Sequence, residues 1–373
     1  MLRITKLLRR ALWIAPALLL AFIAFWIAFS LSARPFPLNF TPTPEATRHP
    51  AQASSVPNYT RDEVDTFYTF PEWYIVWSYQ AKADFQQSRL PSAYPFYGEI
   101  GQYWQAYSRI YGATRRVYPF ATGDHIMLVV IGSSFTAEYA LKGLYEKTIG
   151  RFSEWTSSHH LVAEDHYAAQ VAQDYAAFVH VRPFYEYSFT QALRGLWHTP
   201  WGREHRFRTF ERRAWLSTDY AIEAFYCQLI EWATHATYGY EDVNTAAWIV
   251  FPPESKSLVP SSAPSIKLAK DLGPGEAIVE IPRYEEFTHD TQTLLHNGAR
   301  FRQMAGNELI LFSAIADANW TNSTPGSQLI LAQPLLTNPA VKRVAILTPV
   351  SKLDQVLSQD QSQHVLIEHL YDY

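Results

Sequence analysis

The residues best suited to chemistry lie at four-residue steps between positions 223 and 235. Glu223, Cys227, Glu231 and His235 fall at i, i+4, i+8 and i+12. On an α-helix they share one slowly drifting face, because each step turns about 40° beyond a full turn. Carboxylates near a histidine suit a metal site or an acid–base pair. They equally suit a Glu–His hydrogen bond on a partly buried helix, and we favour that interpretation.

A second group of ligand-type side chains lies near the start of a predicted helix. His159, His160 and His166 accompany Glu164 and Asp165, and imidazole and carboxylate groups bind borderline and hard metals. However, a six-residue spacing does not place two histidines on one helical face, and the chain has no His-Glu-x-x-His motif. Acidic residues at the positive end of a helix explain the group more simply. No metal and no cofactor is therefore predicted.

Two other carboxylates are candidates for a pocket. Glu72 stands at a predicted helix start, where a carboxylate also stabilises the helix dipole. Glu138 forms a stripe with Lys142 and Glu146 at four-residue spacing, a pattern that predicts a solvated ion-pair face. Cys227 lies among aromatic and aliphatic neighbours, so its thiol is predicted to be buried and inert.

No nucleophile elbow is predicted. The segment Gly132-Ser-Ser134 lacks the second glycine of the Gly-x-Ser-x-Gly pattern, and no strand plainly precedes it. Its small residues predict close packing between helices instead.

Segment 194–215 combines six arginines and two glutamates with large aromatic residues. Tryptophan suits the headgroup level of a membrane and guanidinium pairs with phosphate, so the segment predicts contact with a membrane or an anion. The other interpretation is that the aromatics are core residues and the arginines are ordinary surface. The candidate contact residues are Arg203, Arg206, Arg208, Arg212, Arg213, Trp197 and Trp201.

These candidates must be positioned by a mostly helical region, 61–251. Apolar periodicity and helix-end residues predict helices at 69–85, 97–111, 124–152, 161–181 and 204–237. In the third helix, one stripe is predicted to face a core; its residues are Ile126, Val129, Val130, Ser133, Ala137, Ala140, Leu141 and Leu144.

The segment 252–275 is rich in proline and serine and is predicted to be a linker. After it, the period becomes that of strands at 277–282, 328–336, 342–347 and 365–370, with helices at 284–296 and 350–359 and a hairpin over 300–316. A strand–Pro–helix–strand order starts once at Ile278 and again at Val344. We therefore expect an α+β fold class, with a ferredoxin-like domain at 276–373.

The N-terminus predicts a membrane anchor. Residues 11–33 contain no charged side chain, and 23 residues span about 34 Å as a helix, enough for a bilayer core of about 30 Å. Four basic residues and no acid precede it, so the positive-inside rule places residues 1–10 in the cytoplasm. The alternative is a cleaved signal peptide, whose apolar core is usually shorter. Six prolines in 34–60 predict an extended stalk.

Composition excludes several classes of protein. A single cysteine excludes a disulfide scaffold and a multi-cysteine metal site. Four of the 31 Lys and Arg residues lie in the basic tail, against 35 Asp and Glu in the whole chain, so the remainder is acidic and no nucleic-acid partner is expected. Aromatic residues make up 15% of the chain, which predicts a folded, aromatic-rich body.

Three separated patches resemble a group of bacterial single-span membrane proteins with no assigned activity. The patches are TFPEWYIV at 69–76, GSSFTAE with LK and YEKTIGR over 132–151, and EHLYDY at 368–373. The resemblance implies a bacterial inner-membrane location, and it carries over no catalytic residue.

Taken together, these patterns predict a single-pass membrane protein with periplasmic C-terminal domains. No complete catalytic set is present, so we expect a binding or assembly role at the membrane surface, with a protein or an anionic lipid as partner. The alternative is an enzyme or a receptor for a small ligand or lipid, with a pocket that uses Glu72, Glu138, Glu223, Glu231 or His235. That alternative requires the carboxylates to converge on one concave pocket.

Overall fold

The computed structural model describes residues 55, 56, 59, 67, 69–115, 120, 122–202, 204–237, 244–251 and 265–371, with only the backbone of 233–237. The predicted tail and anchor, and nearly all of the predicted stalk, lie outside these residues. Within the described part of the chain, no helix has both the length and the apolar composition needed to span a bilayer.

The fold is α+β, with a helical region followed by two antiparallel sheets. The helices of the first region are α1 (Thr69–Gln86), α2 (Phe96–Thr114), α3 (Thr122–Tyr145), α4 (Arg151–Thr156), α5 (Ala163–Val179), α6 (Phe189–His198) and α7 (Arg206–Thr237). A π-helical turn, Glu146–Gly150, joins α3 to α4. The five helices predicted from the sequence are confirmed, the third of them as α3 continuing into α4, whereas α6 was not predicted.

The strands are β1 (Asn244–Val250), β2 (Lys267–Gly273), β3 (Glu276–Pro282), β4 (Arg300–Met304), β5 (Leu309–Asp317), β6 (Gln328–Leu335), β7 (Asn338–Pro349) and β8 (Leu366–Leu370). Helix α8 (Glu285–His296) connects β3 to β4, and α9 (Leu353–Ser362) lies between β7 and β8. Sheet 1 has the order β2-β3-β1-β4, and sheet 2 has the order β6-β7-β5-β8.

The two sheets repeat one topology, three strands followed by a helix and a fourth strand. Both helices also end alike, since Gly298 and His364 have φ of 83° and 61°. In each case the next backbone N–H, of Ala299 or Val365, donates to a carbonyl five residues earlier, at 3.0 and 3.1 Å. This is a Schellman-type end, which a left-handed residue allows. The repeated strand–helix–strand order seen in the sequence is thus confirmed.

The arrangement of these units differs from the single sheet of a ferredoxin-like domain, because each unit lies in its own four-stranded sheet. Strand β1 falls within the segment predicted to be helical, and β2 within the segment predicted to be a linker. The alanines of β1 and the mostly exposed residues of β2 hide the period-two pattern of a strand. The predicted hairpin over 300–316 is confirmed only at its turn, where Met304 and Asn307 form an isolated antiparallel bridge. Beyond the turn, β4 pairs with β1, and β5 pairs with β7 and β8.

Sheet 2 is buried on both faces. Phe312 and Ile346 pack with residues of sheet 1, α8 and α9 in one shared core. On the opposite face, Leu311 and Leu347 pack against α1, α2 and α3. A strand covered on both sides reads as a continuous apolar run, which explains the sequence LILFSAIA in β5.

A histidine–tryptophan cluster joins the helical region to sheet 2. The His369 ring of β8 stacks on Trp73 of α1 at 3.7 Å between centroids, and Trp77 lies 5.1 Å from His180. Beside them, Arg343 and Glu368 form a two-bond ion pair at 2.6 and 2.8 Å. Burial lowers the pKa of His369 to about 3, with the His180 charge acting in the same direction.

This cluster predicts acid sensitivity. A histidine with a folded-state pKa near 3 and an ordinary value near 6.5 binds its proton first in the unfolded chain. The contribution of His369 to the free energy of unfolding should therefore be greatest above about pH 6.5 and fall by up to about 1.4 kcal/mol per pH unit below it. Denaturant titrations at several pH values give the slope of the free energy of unfolding against pH. His369→Gln should make this slope shallower, whereas the control His296→Gln, on the exposed end of α8, should leave it unchanged. Equal slopes for the wild type and His369→Gln would contradict the assignment.

Close packing of α2 on α3 depends on Gly132. A Cβ atom at this position would lie 2.2 Å from Cε1 of Tyr103, whose hydroxyl is held by a 2.6 Å bond to the Leu128 carbonyl. The predicted role of this small residue in helix packing is confirmed.

Two glycine substitutions test this contact. Gly132→Ala should lower the free energy of unfolding by about 1–3 kcal/mol, since the Tyr103 ring must move. The control is Gly101→Ala in α2, which has open space around it and should gain up to about 1 kcal/mol from helix propensity. Thermal and urea unfolding give both values, and a neutral Gly132→Ala variant would count against the packing argument.

Candidate functional site

The exposure of α3 differs from the prediction for most of its apolar stripe, although Val129 of that stripe is buried as expected. Leu141 and Leu144, predicted to face a core, are 65% and 57% exposed. Glu138, Lys142 and Glu146, predicted to form a solvated face, point inward. Periodicity identifies two faces of a helix but does not say which of them is covered, so the sequence alone favoured the wrong side.

The long helix α7 also directs charged residues inward, and it packs antiparallel to α3. Tyr145 stacks on Trp215 at 3.6 Å, and Lys142 contacts Asp219 and Glu223. Further along, the hydroxyl of Tyr226 donates to Ser134. Residues closer to the C-terminus of α3 thus meet residues closer to the N-terminus of α7, with charged and hydroxyl groups between the two helices.

The side of α3 and α7 that points away from these charged groups carries large apolar residues that are 41–72% exposed, and so do the π turn and α4. We call this surface the outer face. Its members are Ile126, Met127, Val130, Leu141, Leu144, Ile149, Phe152, Trp155, Phe207, Phe210, Ile222, Phe225, Leu229 and Trp232. The rings of Phe152 and Phe207 lie 6.0 Å apart, which joins the two helical parts of the face.

Between the helices, Lys142 is the centre of a charged cluster. Its ammonium lies 2.9 Å from Glu138, 3.1 Å from Asp219 and 2.9 Å from Glu223. The hydroxyl of Tyr79 donates to the other oxygen of Glu138 at 2.9 Å. One cation therefore holds carboxylates from both α3 and α7.

The protonation equilibria of this cluster oppose one another. Burial alone would raise the pKa of Glu138, but the Lys142 and Lys82 charges outweigh it and lower this pKa. Burial raises the pKa of Glu223, and Lys142 offsets this only in part. Burial and the neighbouring Lys142 charge lower the pKa of Lys82. Glu223 thus keeps a proton more readily than Glu138 does.

A cavity of about 70 Å³ lies against this cluster, between α1, α3, α5 and α7. Its charged lining consists of Lys82, Glu138, Lys142, Glu146, Arg212, Asp219 and Glu223. A water needs only about 10–15 Å³ of such space, so a few waters fit. Drug-sized ligands need about 300–1,000 Å³. The cavity has the scale of a hydrated polar interior.

Only two of the predicted pocket carboxylates meet here, Glu138 and Glu223. Glu72 is in the first turn of α1 and does not line the cavity, and Glu231 is exposed on α7. The side chain of His235 lies outside the described residues. Cys227 is buried, and burial raises the pKa of its thiol to about 12, as expected for an inert residue.

A second charged cluster surrounds the start of α7. Arg208 contacts Asp165 at 2.9 Å and Glu211 at 3.2 Å. Arg212 contacts Glu146 at 2.7 Å and Asp165 at 2.8 Å. All of these side chains are at most 5% exposed. We call this cluster, with the pairs described next, the arginine network.

The network continues through Arg213, whose guanidinium contacts Glu164 at 2.5 Å and the Thr199 carbonyl at 2.9 Å. Glu154, 3.8 Å from Arg208, accepts hydrogen bonds from Ser92. The network thus ties α7 to the π turn, α4 and α5.

The network's charges support one another despite burial. Burial opposes the charged form of Arg212, but Glu146 and Asp165 outweigh it and raise its pKa above the ordinary value. Burial raises the pKa of Glu146, so this carboxyl takes up a proton more readily than an exposed one. Removing one partner of such a pair leaves an unpaired buried charge, which typically costs about 3–5 kcal/mol.

This placement corrects part of the predicted membrane-contact set. Arg208, Arg212 and Arg213 have no more than 1% of their surface exposed, so they contact carboxylates of the protein and not a bilayer. Arg206 is exposed, whereas Arg203 lies outside the described residues. The charge count of the segment could not reveal the pairing, because all the acidic partners except Glu211 come from positions 146–165.

The two predicted tryptophans lie at the surface. Trp197 and Trp201 are each 55% exposed, and their rings are 6.4 Å apart. The guanidinium of Arg213 lies 4.1 Å from the Trp201 ring centroid. This cation–π contact holds Trp201 over the edge of the arginine network.

The candidate histidines do not assemble a metal site. His159, His160 and His166 are exposed, and His160 stacks on His205 at 5.9 Å. Glu164 and Asp165 lie in the first turn of α5, as predicted, but they point into the arginine network. Across the described residues, no three His, Cys, Asp or Glu side chains are arranged to hold a metal ion.

The charged cluster makes a stability prediction. Lys142→Met leaves three facing carboxylates without their cation, so the free energy of unfolding should fall by about 3–5 kcal/mol at pH 8. The loss should shrink as pH falls toward 5, because protonated carboxyls no longer repel one another. Chemical unfolding at both pH values measures this. Lys147→Met, on the exposed side of the π turn, should change stability by less than about 0.5 kcal/mol. A pH-independent loss would argue against charge pairing as its cause.

Comparisons with known proteins do not assign this chain to a family. The chain matches no protein-family model, no curated protein and no solved structure. The resemblance to single-span bacterial membrane proteins therefore remains a prediction, and the function must be argued from the site itself.

Proposed function

We propose that this protein binds the surface of a bilayer through its outer face, beside its own membrane anchor. In this proposal residues 11–33 span the bacterial inner membrane, residues 1–10 are cytoplasmic, and the folded region lies on the periplasmic side. The observation that carries the proposal is the arrangement of α3 and α7, with ionisable groups between the helices and large apolar groups outside.

The size of the outer face supports this proposal. Six of the fourteen side chains are aromatic, and an aromatic side chain covers roughly 150–250 Å² when fully buried. At more than half exposure on average, these six alone present on the order of 700 Å², to which the eight other apolar residues add further area. The largest apolar patch of an ordinary soluble monomer is about 300–600 Å². A face of this size is typical of a surface covered by lipid or by another protein.

The chemistry of the face favours lipid as the occupant. Helices that lie in a membrane interface direct a continuous apolar side into the acyl boundary, and ionisable groups of membrane proteins point toward the interior of a bundle. On α7, the small residues Ser217, Thr218 and Ala221 leave a shallow open groove beside Ile222 and Phe225. An anchor at 11–33 would keep this face close to the bilayer at all times.

The proposal predicts where a lipid-phase quencher can reach. In a Cys227→Ala background, a fluorophore on Leu144→Cys or Phe225→Cys should be quenched by brominated lipids when the full chain is reconstituted in vesicles. It should also be shielded from aqueous iodide, because both sites would lie in the acyl boundary. Steady-state fluorescence measures both the quenching by brominated lipid and the protection from iodide.

Matched controls come from the sheets. Leu268 and Leu366 are 60% and 68% exposed, and labels on Leu268→Cys and Leu366→Cys should be quenched by iodide and not by lipid. Iodide quenching at all four sites would refute the proposal. Protection of the outer-face labels from both quenchers would mean that a protein partner or a second copy covers the face.

A further inference from the structure

The charges around the outer face are unevenly distributed. Within 144–156 and 189–214, excluding residue 203, the exposed ionisable side chains other than histidine are Lys147, Arg151, Arg194, Arg206 and Glu204. Four basic groups thus stand against one acidic group, in a chain that is acidic overall. We call this part of the surface the basic end.

The arginine network produces this excess. Glu146, Glu154 and Glu211 belong to the same helical segments as the exposed basic residues, but all three point inward. The buried arginines therefore remove acidic groups from the surface and leave the basic ones outside. The sequence shows mixed charges in these segments, while the folded surface is basic.

Aromatic residues of the kind found at membrane interfaces share the basic end. Trp155 is 68% exposed and lies one turn after Arg151. Phe152 contacts both Trp155 and Phe207, with ring centroids 6.2 and 6.0 Å apart. Arg151 and Arg206 are each the residue directly before one of these two phenylalanines, Phe152 of α4 and Phe207 of α7. Tryptophan at headgroup depth beside cationic side chains matches the anionic surface of a bilayer.

We infer that the basic end binds the phosphate headgroups of anionic phospholipids through Lys147, Arg151 and Arg206. This inference rests on the proposed function and adds the class of lipid. Guanidinium pairs with phosphate oxygens in two-bond geometry, and lysine adds a point charge. The apolar residues of the same helices reach the acyl region, so the phosphate lies at the boundary between them.

The test uses the full chain in nonionic detergent, titrated with short-chain phosphatidylglycerol or phosphatidylcholine while tryptophan fluorescence is recorded. The wild type should bind phosphatidylglycerol at least tenfold more tightly, and added salt should weaken that binding. Lys147→Gln/Arg151→Gln/Arg206→Gln should remove this preference. The charge-matched control Lys267→Gln/Arg300→Gln/Lys352→Gln changes exposed residues of the sheet region and should retain it. Inorganic phosphate at the same concentration should not compete.

The outcomes separate this inference from the proposed function. Equal binding of both lipids, or a preference that survives the triple substitution, overturns the inference, while lipid quenching at positions 144 and 225 would still support bilayer binding. Competition by inorganic phosphate would assign the basic end to a free anion and overturn the lipid assignment. Absence of lipid quenching at 144 and 225 in vesicles overturns the proposed function itself.

Discussion

The pairing of three buried arginines with carboxylates from neighbouring segments determines how the helical region is assembled. Arg208, Arg212 and Arg213 lie within two turns at the start of α7, and their partners come from the π turn, α4, α5 and α7 itself. An arginine with no exposed surface must keep all its partners, because an unpaired buried charge is far more costly than a lost surface contact. The network therefore fixes the rotation of α7 and of the segment that runs from α3 into α4.

That rotation has a consequence at the surface. A helix that turns its ionisable residues inward must turn other residues outward, and on α3 and α7 these are leucine, isoleucine, phenylalanine and tryptophan. The Lys142 cluster is a second set of buried charge pairs between α3 and α7, and it lies next to a cavity of about 70 Å³. The charged interior and the apolar exterior are thus two aspects of one constraint, and the same constraint leaves a basic surface where the acidic groups have been drawn inside.

The sheets form a stable body to which the helical region is attached. Sheet 2 packs on sheet 1 with one face and on α1, α2 and α3 with the other. The His369–Trp73 stack lies at that junction. Residues of α1, α2 and the first half of α3 pack on sheet 2, whereas the exposed apolar residues of α3 and α7 form the outer face.

Most elements could be located from the amino-acid sequence, because helical periodicity, prolines before helices and turn glycines are local signals. The bounds of α1, α2, α5, α7 and β3 follow from such signals, and so does the repeated strand–helix–strand order. Strands β1 and β2 were missed, since alanine-rich and exposed strands lack a period-two pattern. The sequence did not reveal that the charged residues of α3 and the arginines of α7 point inward. The reason is that the deciding pairs join distant residues, as Arg208 joins Asp165 and Lys142 joins Glu223, and a periodic pattern carries no information about the partner of each face.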